Sequence, residues 1–376
     1  MNDVSTLARE LVAIPSHEDE RQAGDHIESW LREHTAGIVT RDDHGNVIAR
    51  RGDGERSLAL VGHHDVVPPD ESQVAESMTG ETDENAGPSE EYVVERRDGR
   101  LYGRGSADMK GAVATAMCAF RDAEVAEGEL VFASFVGEED GGTGARRAID
   151  AGFSPTYAIV GEGSTNYSGG DVTDVAIAHK GRRGSTITAA GSPAHASEPE
   201  VGENAIYRAT DAIERVRSLA APSASVLGQQ ITGSVVVTEI DGGSAWNVVP
   251  ERCTITVDER TVPGDRAALE SVATLQGISW TVDQDLPPMA CRDDEFVDQV
   301  LNVASREQPN REPARVIKPH ATDAGWLAGA GTQSVVCGPA EPGEAHTATE
   351  SVSLDVLDRC YRIYRTAAEE ILESVT

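Results

Sequence analysis

The sequence predicts an α/β fold: a mixed, mostly parallel sheet with helices on both faces, plus a smaller inserted α+β (ferredoxin-like) domain. Three observations predict it. Apolar runs over residues 58–61, 129–136 and 157–160 each break at a glycine (Gly62, Gly137, Gly161) into polar residues. Such runs, bounded by turn residues, suit strands buried on both faces. Strand, polar tip and helix then repeat, which is the alternation that builds a parallel sheet. From about residue 175 to about 286 the pattern changes to alternating strands flanking a helix, as in a separate α+β domain. A chain of 376 residues is long for one core and comfortable for two.

Taken in order, Ser16-x-x-Asp19 is a candidate cap for a helix with Ala23, Ile27, Trp30 and Leu31 at helical spacing. A turn at His44-Gly45-Asn46 leads to a short strand, and the 58–61 strand ends in Gly62-His63-His64-Asp65. Residues 70–91 are polar and acidic, with Gly80, Gly87 and Pro88, and read as a solvated surface loop. The glycine-rich segment 99–111 permits tight turns ahead of a buried helix over 112–119. Asp108 falls in that turn, where a lone carboxylate most simply caps the helix. The 129–136 strand ends in Glu138-Glu139-Asp140, and the 157–160 strand in Glu162.

The inserted segment shows strands over 174–178, 184–190, 234–240 and 253–258, with helices over 204–219 and 265–275. It carries His195, Asn247 and Arg260. A histidine such as His195, taken alone, is more often a turn or surface residue than a functional one. After Pro287-Pro288 come a helix over 294–306, the segment His320-Ala-Thr322-Asp-Ala-Gly-Trp326 and a strand over 334–337. Ala345-His346-Thr347 precedes a last helix with Leu357, Tyr361, Tyr364, Ala368 and Ile371 on one face.

Asp and Glu number 64 against 32 for Lys and Arg, a formal net charge of -32, spread along the whole chain. Only Lys110, Lys180 and Lys318 are lysines. So acidic a surface repels itself in dilute buffer and is tolerable where salt screens it, which predicts the salt-rich cytoplasm of a halophile. It excludes nucleic acid as a partner, since phosphates demand the opposite sign. No apolar segment reaches the roughly 20 residues of a membrane span, and the N-terminal residues lack a secretory pattern. Cys118, Cys253, Cys291, Cys337 and Cys360 are dispersed, as free thiols in a reducing cytosol would be.

His63, Asp108, Glu139 and Glu162 all fall at or just after the C-terminal ends of strands, where an open α/β sheet gathers its ligands. Three adjacent carboxylates at 138–140 repel one another unless solvent or a cation compensates. His63-x-Asp65 suits an imidazole that binds an ion while a carboxylate holds its other ring N–H.

These motifs, Gly-His63-x-Asp65-Val-Val-Pro, Gly-Arg-Gly-Ser-Ala-Asp108-Met-Lys-Gly, Gly-Glu138-Glu139-Asp, Gly-Glu162 and Ala-His346-Thr, resemble the two-zinc deacylases and exopeptidases. That family includes acetylornithine deacetylase, succinyl-diaminopimelate desuccinylase, aminoacylases and glutamate carboxypeptidase. The motifs stand in family order from His63 to His346. The resemblance implies a di-metal catalytic domain over 1–178 and 288–376 and a dimerisation or lid domain over 179–287.

It further implies that His63 and Glu162 bind one ion, Glu139 and His346 the other, and that Asp108 bridges both. Asp65 would orient His63, and Glu138 would be the general base. His195 would stabilise the oxyanion from the partner subunit of a homodimer, and Asn247, Arg260 and Thr322 would contact substrate. His64, at the variable position of its motif, is a bystander. Zinc suits these N and O ligands, and cobalt or manganese could occupy the same set. Residues 70–91 depart from the family's usual Trp- and Pro-Phe-bearing segment.

The expected reaction is hydrolysis of the amide of a small N-acyl amino acid, most like the deacetylase and desuccinylase of amino-acid biosynthesis. The alternatives are a dipeptidase or glutamate carboxypeptidase and, from another class, a non-catalytic metabolite-binding homologue. The intact base, Glu138, argues against the last.

Overall fold

The computed structural model describes residues 3–75 and 91–373. The chain divides into two compact units: Met1–Ala178 with Ala290–Lys318 and Thr322–Thr376, and His179–Met289 with Pro319–Ala321.

Among the described residues of the first unit, nine strands form one sheet. In spatial order they are Ile38–Arg41, Val47–Gly52, Glu129–Phe135, Ser57–His63, Tyr157–Val160, Gln333–Val336, Val175–His179 and Met289–Ala290, with Arg315–Lys318 pairing on Val175–His179. The centre is parallel: Ser57–His63 lies between Glu129–Phe135 and Tyr157–Val160, and Gln333–Val336 runs beside the latter. The Ile38–Arg41 and Val47–Gly52 strands are antiparallel additions at one edge. Every residue of Ser57–His63 is buried, which accounts for its unbroken apolar run.

Register sets what meets at the sheet's C-terminal end. His63 pairs with Phe135, three residues before Glu138, and Val61 pairs with Val160, two before Glu162. Gly338, beyond the Gln333–Val336 strand, lies against the neighbouring loop so closely that a Cβ there would sit 1.9 Å from the Gly161 carbonyl oxygen. Glycine is the residue that permits that approach.

The second unit is an antiparallel sheet in the order Ser234–Gly242, Arg252–Arg260, Arg182–Ala190, Ile278–Leu286. Helix Ala205–Arg217, through Ala205, Ala209, Ala212 and Val216, and a 3₁₀ turn, Leu269–Thr274, through Leu269 and Val272, pack on it against Ile187, Ile255 and Val257. Strand, helix, strand, strand, short helix, strand is the split βαβ order of the ferredoxin-like motif.

Several local expectations change. Ser16 does not cap a helix: its Oγ donates to the His64 carbonyl oxygen at 2.7 Å, and the helix runs from Arg21 to His34. The helix expected over 265–275 contracts to Leu269–Thr274. The cause is a buried pair, Arg183 and Glu259. Glu259 accepts from the Ala267 N–H at 2.7 Å, and Arg183 donates to the Ala267 carbonyl oxygen at 2.7 Å. With both backbone groups engaged, Ala267 cannot join an α-helical ladder. Helix Asp3–Val12, strand Ile278–Leu286 and the hairpin Ser223–Val226 with Gln229–Thr232 were outside the sequence expectations. Of the acidic loop expected over 70–91, residues 76–90 lie outside the described residues. Its ends pair as short strands, Val74–Ala75 with Glu91–Tyr92.

Candidate active site

The C-terminal end of the parallel sheet gathers two clusters of ligand-type atoms. His63, Glu138 and Glu162 each place one such atom within 4.8 Å of the others, and so do Asp108, Glu139 and His346. His63, Glu138, Glu139 and Glu162 come from neighbouring strand ends. Asp108 comes from the turn before helix Gly111–Asp122, where Gly105 at φ 81° makes the bend that an L side chain would resist. Asp108 therefore does not act as the simple helix cap considered from the sequence.

Asp108 joins the clusters. Its Oδ1 lies 3.1 Å from His63 Nε2 and its Oδ2 lies 3.3 Å from His346 Nε2. His63 Nε2 is also 3.4 Å from Glu162 Oε1, and His346 Nε2 is 3.0 Å from Glu139 Oε1. Each imidazole nitrogen thus faces two carboxylates, an arrangement that calls for positive charge between them. A proton or a metal ion supplies it, and imidazole with carboxylates is a donor set that zinc accepts. The residues fit a metal pair.

Asp65 stands behind His63. The ring Nδ1 donates to the Asp65 carbonyl oxygen at 3.1 Å and lies 3.3 Å from Asp65 Oδ1, which turns Nε2 toward the clusters. Asp65 Oδ2 accepts from the Glu139 N–H at 3.0 Å, so one carboxylate holds two of the chain segments that form the site. The three acidic neighbours separate: Glu138 joins one cluster, Glu139 the other, and Asp140 is exposed. His64 faces away, its Nδ1 2.8 Å from Ser134 Oγ, and burial pushes it down to about 3, so it stays neutral.

The electrostatics follow from burial and crowding. Burial, then the neighbouring charges of Asp323, Glu162 and Asp108, hold the Glu138 carboxyl well above the usual range, with His63 opposing. Burial also opposes ionisation of Asp108, but hydrogen bonds from His346 and His63 overcome it and keep Asp108 ionised. Burial works against a charged His63, yet the carboxylates of Asp65, Asp108 and Glu162 raise it well above its ordinary value.

Thr322 is buried, and its Oγ1 accepts from the Ala324 N–H at 3.2 Å, capping helix Asp323–Gly329. In the second unit His195 is exposed, with Nδ1 2.6 Å from Ser197 Oγ. Its strand pairs with Val248–Val249, which brings Asn247 alongside: the Ala196 N–H donates to the Asn247 carbonyl oxygen at 2.9 Å. Arg260 Nε donates to Asp258 Oδ1 at 2.8 Å, and Arg182 takes the other oxygen at 2.8 Å.

Sequence reasoning passed over two residues near the clusters. Lys318, buried, donates to the Gly163 carbonyl oxygen at 3.0 Å and lies 3.5 Å from Glu162 Oε2. Asp323, also buried, is pushed up to about 8 by burial, with Asp65 and Glu162 adding to it. Lysine scarcity was the available pointer to Lys318. Lys110, fully buried, donates to the Ile14 carbonyl oxygen, so two of the three lysines are enclosed in this unit.

The profile of Peptidase family M20/M25/M40 matches residues 59–370. The chain belongs to that family. This M20-family chain is a metal-dependent hydrolase, as the match and the two clusters together state. It is 29% identical over 348 residues to an acetylornithine deacetylase of Myxococcus xanthus, covering 86% of this chain and 83% of that one. It is 27% identical over 398 residues to a succinyl-diaminopimelate desuccinylase of Bordetella avium, covering 99% of each. Aminopeptidase PepT of Bacillus cereus shares the fold at a TM-score of 0.77 and 19% identity, over 98% of both chains. Among the described residues of this M20-family chain, no helix is long and apolar enough to cross a membrane.

Proposed function

We propose that this chain hydrolyses the amide bond of a small N-acyl amino acid, releasing the acyl group as a carboxylate and the amino acid as an amine. The observation that carries the reading is the pair of clusters sharing Asp108, with Glu138 in the first. The names of the two curated relatives support the substrate class.

In this reading His63 and Glu162 would hold one ion and Glu139 and His346 the other, with Asp108 available to both. Zinc is the ion the donor set favours, with cobalt and manganese as competitors. Bound there, two divalent ions supply Lewis acidity and lower the pKa of a shared water. Asp65 holds the Nδ1 proton of His63 and so leaves Nε2 free of a proton, where it would hold an ion. Glu138 takes a proton from the attacking water and passes it to the leaving amine nitrogen. Arg260 offers a planar fork to a substrate carboxylate, and Asn247 and Thr322 contribute polar contacts.

The deciding experiment is a hydrolysis screen in molar salt with N-acetylornithine, N-succinyl-diaminopimelate and several dipeptides. Turnover of an N-acyl amino acid is expected. Turnover of dipeptides alone moves the chain to the exopeptidase reading, and no turnover by the fully metallated protein removes the enzymatic one.

Metal uptake itself is expected to release protons. Hydrogen bonds to Asp108 and Glu139 hold His346 up at about 10, against some opposition from burial. At neutral pH Nε2 therefore carries a proton that an incoming ion must displace. Proton competition weakens metal binding as pH falls, so apparent affinity should rise with pH toward about 10. Calorimetry at pH 7 in buffers of different ionisation enthalpy measures the release, and a buffer-independent heat contradicts it.

The second unit is proposed to pair with its counterpart in a homodimer, and His195 to donate to the oxyanion in the partner's site. Strand Ser234–Gly242 is a sheet edge with Val236 and Ile240 exposed, the kind of edge that templates pairing. His195→Ala is expected to lower kcat while leaving metal content intact. A fully active monomer by light scattering would refute both parts. A salt-rich cytoplasm is proposed as the setting.

A further inference from the structure

Glu350 is 1% exposed and Arg104 is 3% exposed, and their side chains meet at 2.6 Å between Glu350 Oε2 and Arg104 Nη1. The other carboxylate oxygen does something a plain buried ion pair has no need of. Glu350 Oε1 accepts from two consecutive backbone N–H groups, Ala107 at 3.0 Å and Asp108 at 3.1 Å. The Glu350 carbonyl oxygen accepts a third, from Gly103 at 3.1 Å. One residue thus grips segment 103–108 at its start, at Arg104 and at Asp108 itself. Glu350 also closes the turn that directly follows His346: its N–H donates to the Thr347 carbonyl oxygen at 3.4 Å, and His346, just before that turn, holds a positive φ of 65°.

Burying a carboxylate beside the ionised Asp108 is costly, since burial and the Asp108 charge both disfavour a second negative group. Elsewhere in a fold, an apolar side chain could fill the space of a buried ion pair at little loss. A carboxylate with one oxygen on the backbone of Asp108, the other on a buried arginine, and its own backbone in the turn that follows His346 has a positioning task.

We propose that Glu350 is the positioning residue for the metal pair, fixing the bridging carboxylate of Asp108 relative to His346 so that both ions are held together. The inference rests on the reading of Asp108 and His346 as ligands. Glu350 touches neither ion nor substrate in it. Arg104 serves by neutralising the far oxygen of Glu350 and keeping Oε1 on the two N–H groups.

The test titrates metal-free wild type, Glu350→Gln, Glu350→Asp and Glu350→Ala with Zn²⁺ against a chromophoric chelator, with circular dichroism and melting of each metal-free protein alongside. Wild type is expected to take up two ions. Glu350→Gln keeps an acceptor oxygen for both N–H groups and should stay within a few-fold of wild type. Glu350→Ala and Glu350→Asp, which remove that oxygen or draw it back by one methylene, should fold and lose about 10–100-fold in affinity for at least one ion, the usual effect of losing a group that orients a ligand. If Glu350→Ala fails to fold, Glu350→Asp decides. A folded Glu350→Asp that binds two ions as wild type does would overturn the proposal, as would equal losses in Glu350→Gln and Glu350→Ala. A wild type that takes up fewer than two ions would instead bring down the two-ion reading on which the proposal stands.

Discussion

Glu138→Gln is expected to lower kcat by about 10²–10⁴-fold while the protein keeps two metal ions per chain, the range typical for loss of a positioned general base. Glu138 and Glu139 are adjacent, yet their side chains enter different clusters. The turn that separates them is held by the Gly141 and Gly142 N–H groups, both donating to the Glu138 carbonyl oxygen at 3.0 Å. Burial and nearby carboxylates push Glu138 toward the protonated form, with His63 opposing. A carboxyl raised in this way is a better proton acceptor than an ordinary one, as a general base needs to be. Glutamine keeps the shape and removes the proton traffic. Glu139→Gln should differ in kind, losing metal along with activity. Metal analysis beside steady-state kinetics separates the two, and a Glu138→Gln enzyme retaining more than about a tenth of wild-type kcat would show that another group is the base.

The second large effect is on folding. With 64 acidic against 32 basic residues, pairing every base still leaves half the acids uncompensated. Local pairs exist, such as Arg315 with Asp294 and Asp298, and Arg100 with Glu341 and Glu344. Pairs near the surface contribute little each, roughly 0–1 kcal/mol where they are exposed. Low salt strengthens them slightly but strengthens the net repulsion more. The screening length is about 30 Å at 0.01 M and about 3 Å at 1 M. The first exceeds the roughly 13 Å radius of gyration of a 100-residue domain, so charges across a whole domain repel one another. Dialysis to about 0.01 M salt is therefore expected to unfold the protein reversibly, with melting temperature climbing into molar KCl. A melting temperature unchanged between about 0.1 M and several molar would defeat this expectation.

The sheet and the sites at its end were legible because their signals are local. An apolar run that stops at glycine and then turns acidic marks a buried strand and its tip within ten residues, as at Val61-Gly62-His63 and Val160-Gly161-Glu162. What the sequence hid depends on distant partners. Ser16 looks like a cap until His64 supplies a carbonyl oxygen for its hydroxyl. Residues 265–275 look helical until Arg183, 84 residues away in the chain, and its partner Glu259 engage both backbone groups of Ala267. Glu350 reads as one more acid in an acidic protein, and only folding brings it to Arg104 and the Asp108 backbone. Lys318 likewise acquires meaning only beside Glu162.

The enclosure of Lys110 and Lys318 has a practical corollary for handling the protein. Amine-reactive dyes, cross-linkers and activated resins act on accessible amines in their unprotonated form, and Lys180 is the one remaining lysine. It is half-buried and adjoins the start of the second unit. Amine-directed reagents should therefore mark the folded chain at a single lysine side chain, the α-amino group being the competing amine. Tryptic peptides would likewise be bounded almost wholly by arginine, and the appearance of label on Lys110 or Lys318 would report opening of the first unit.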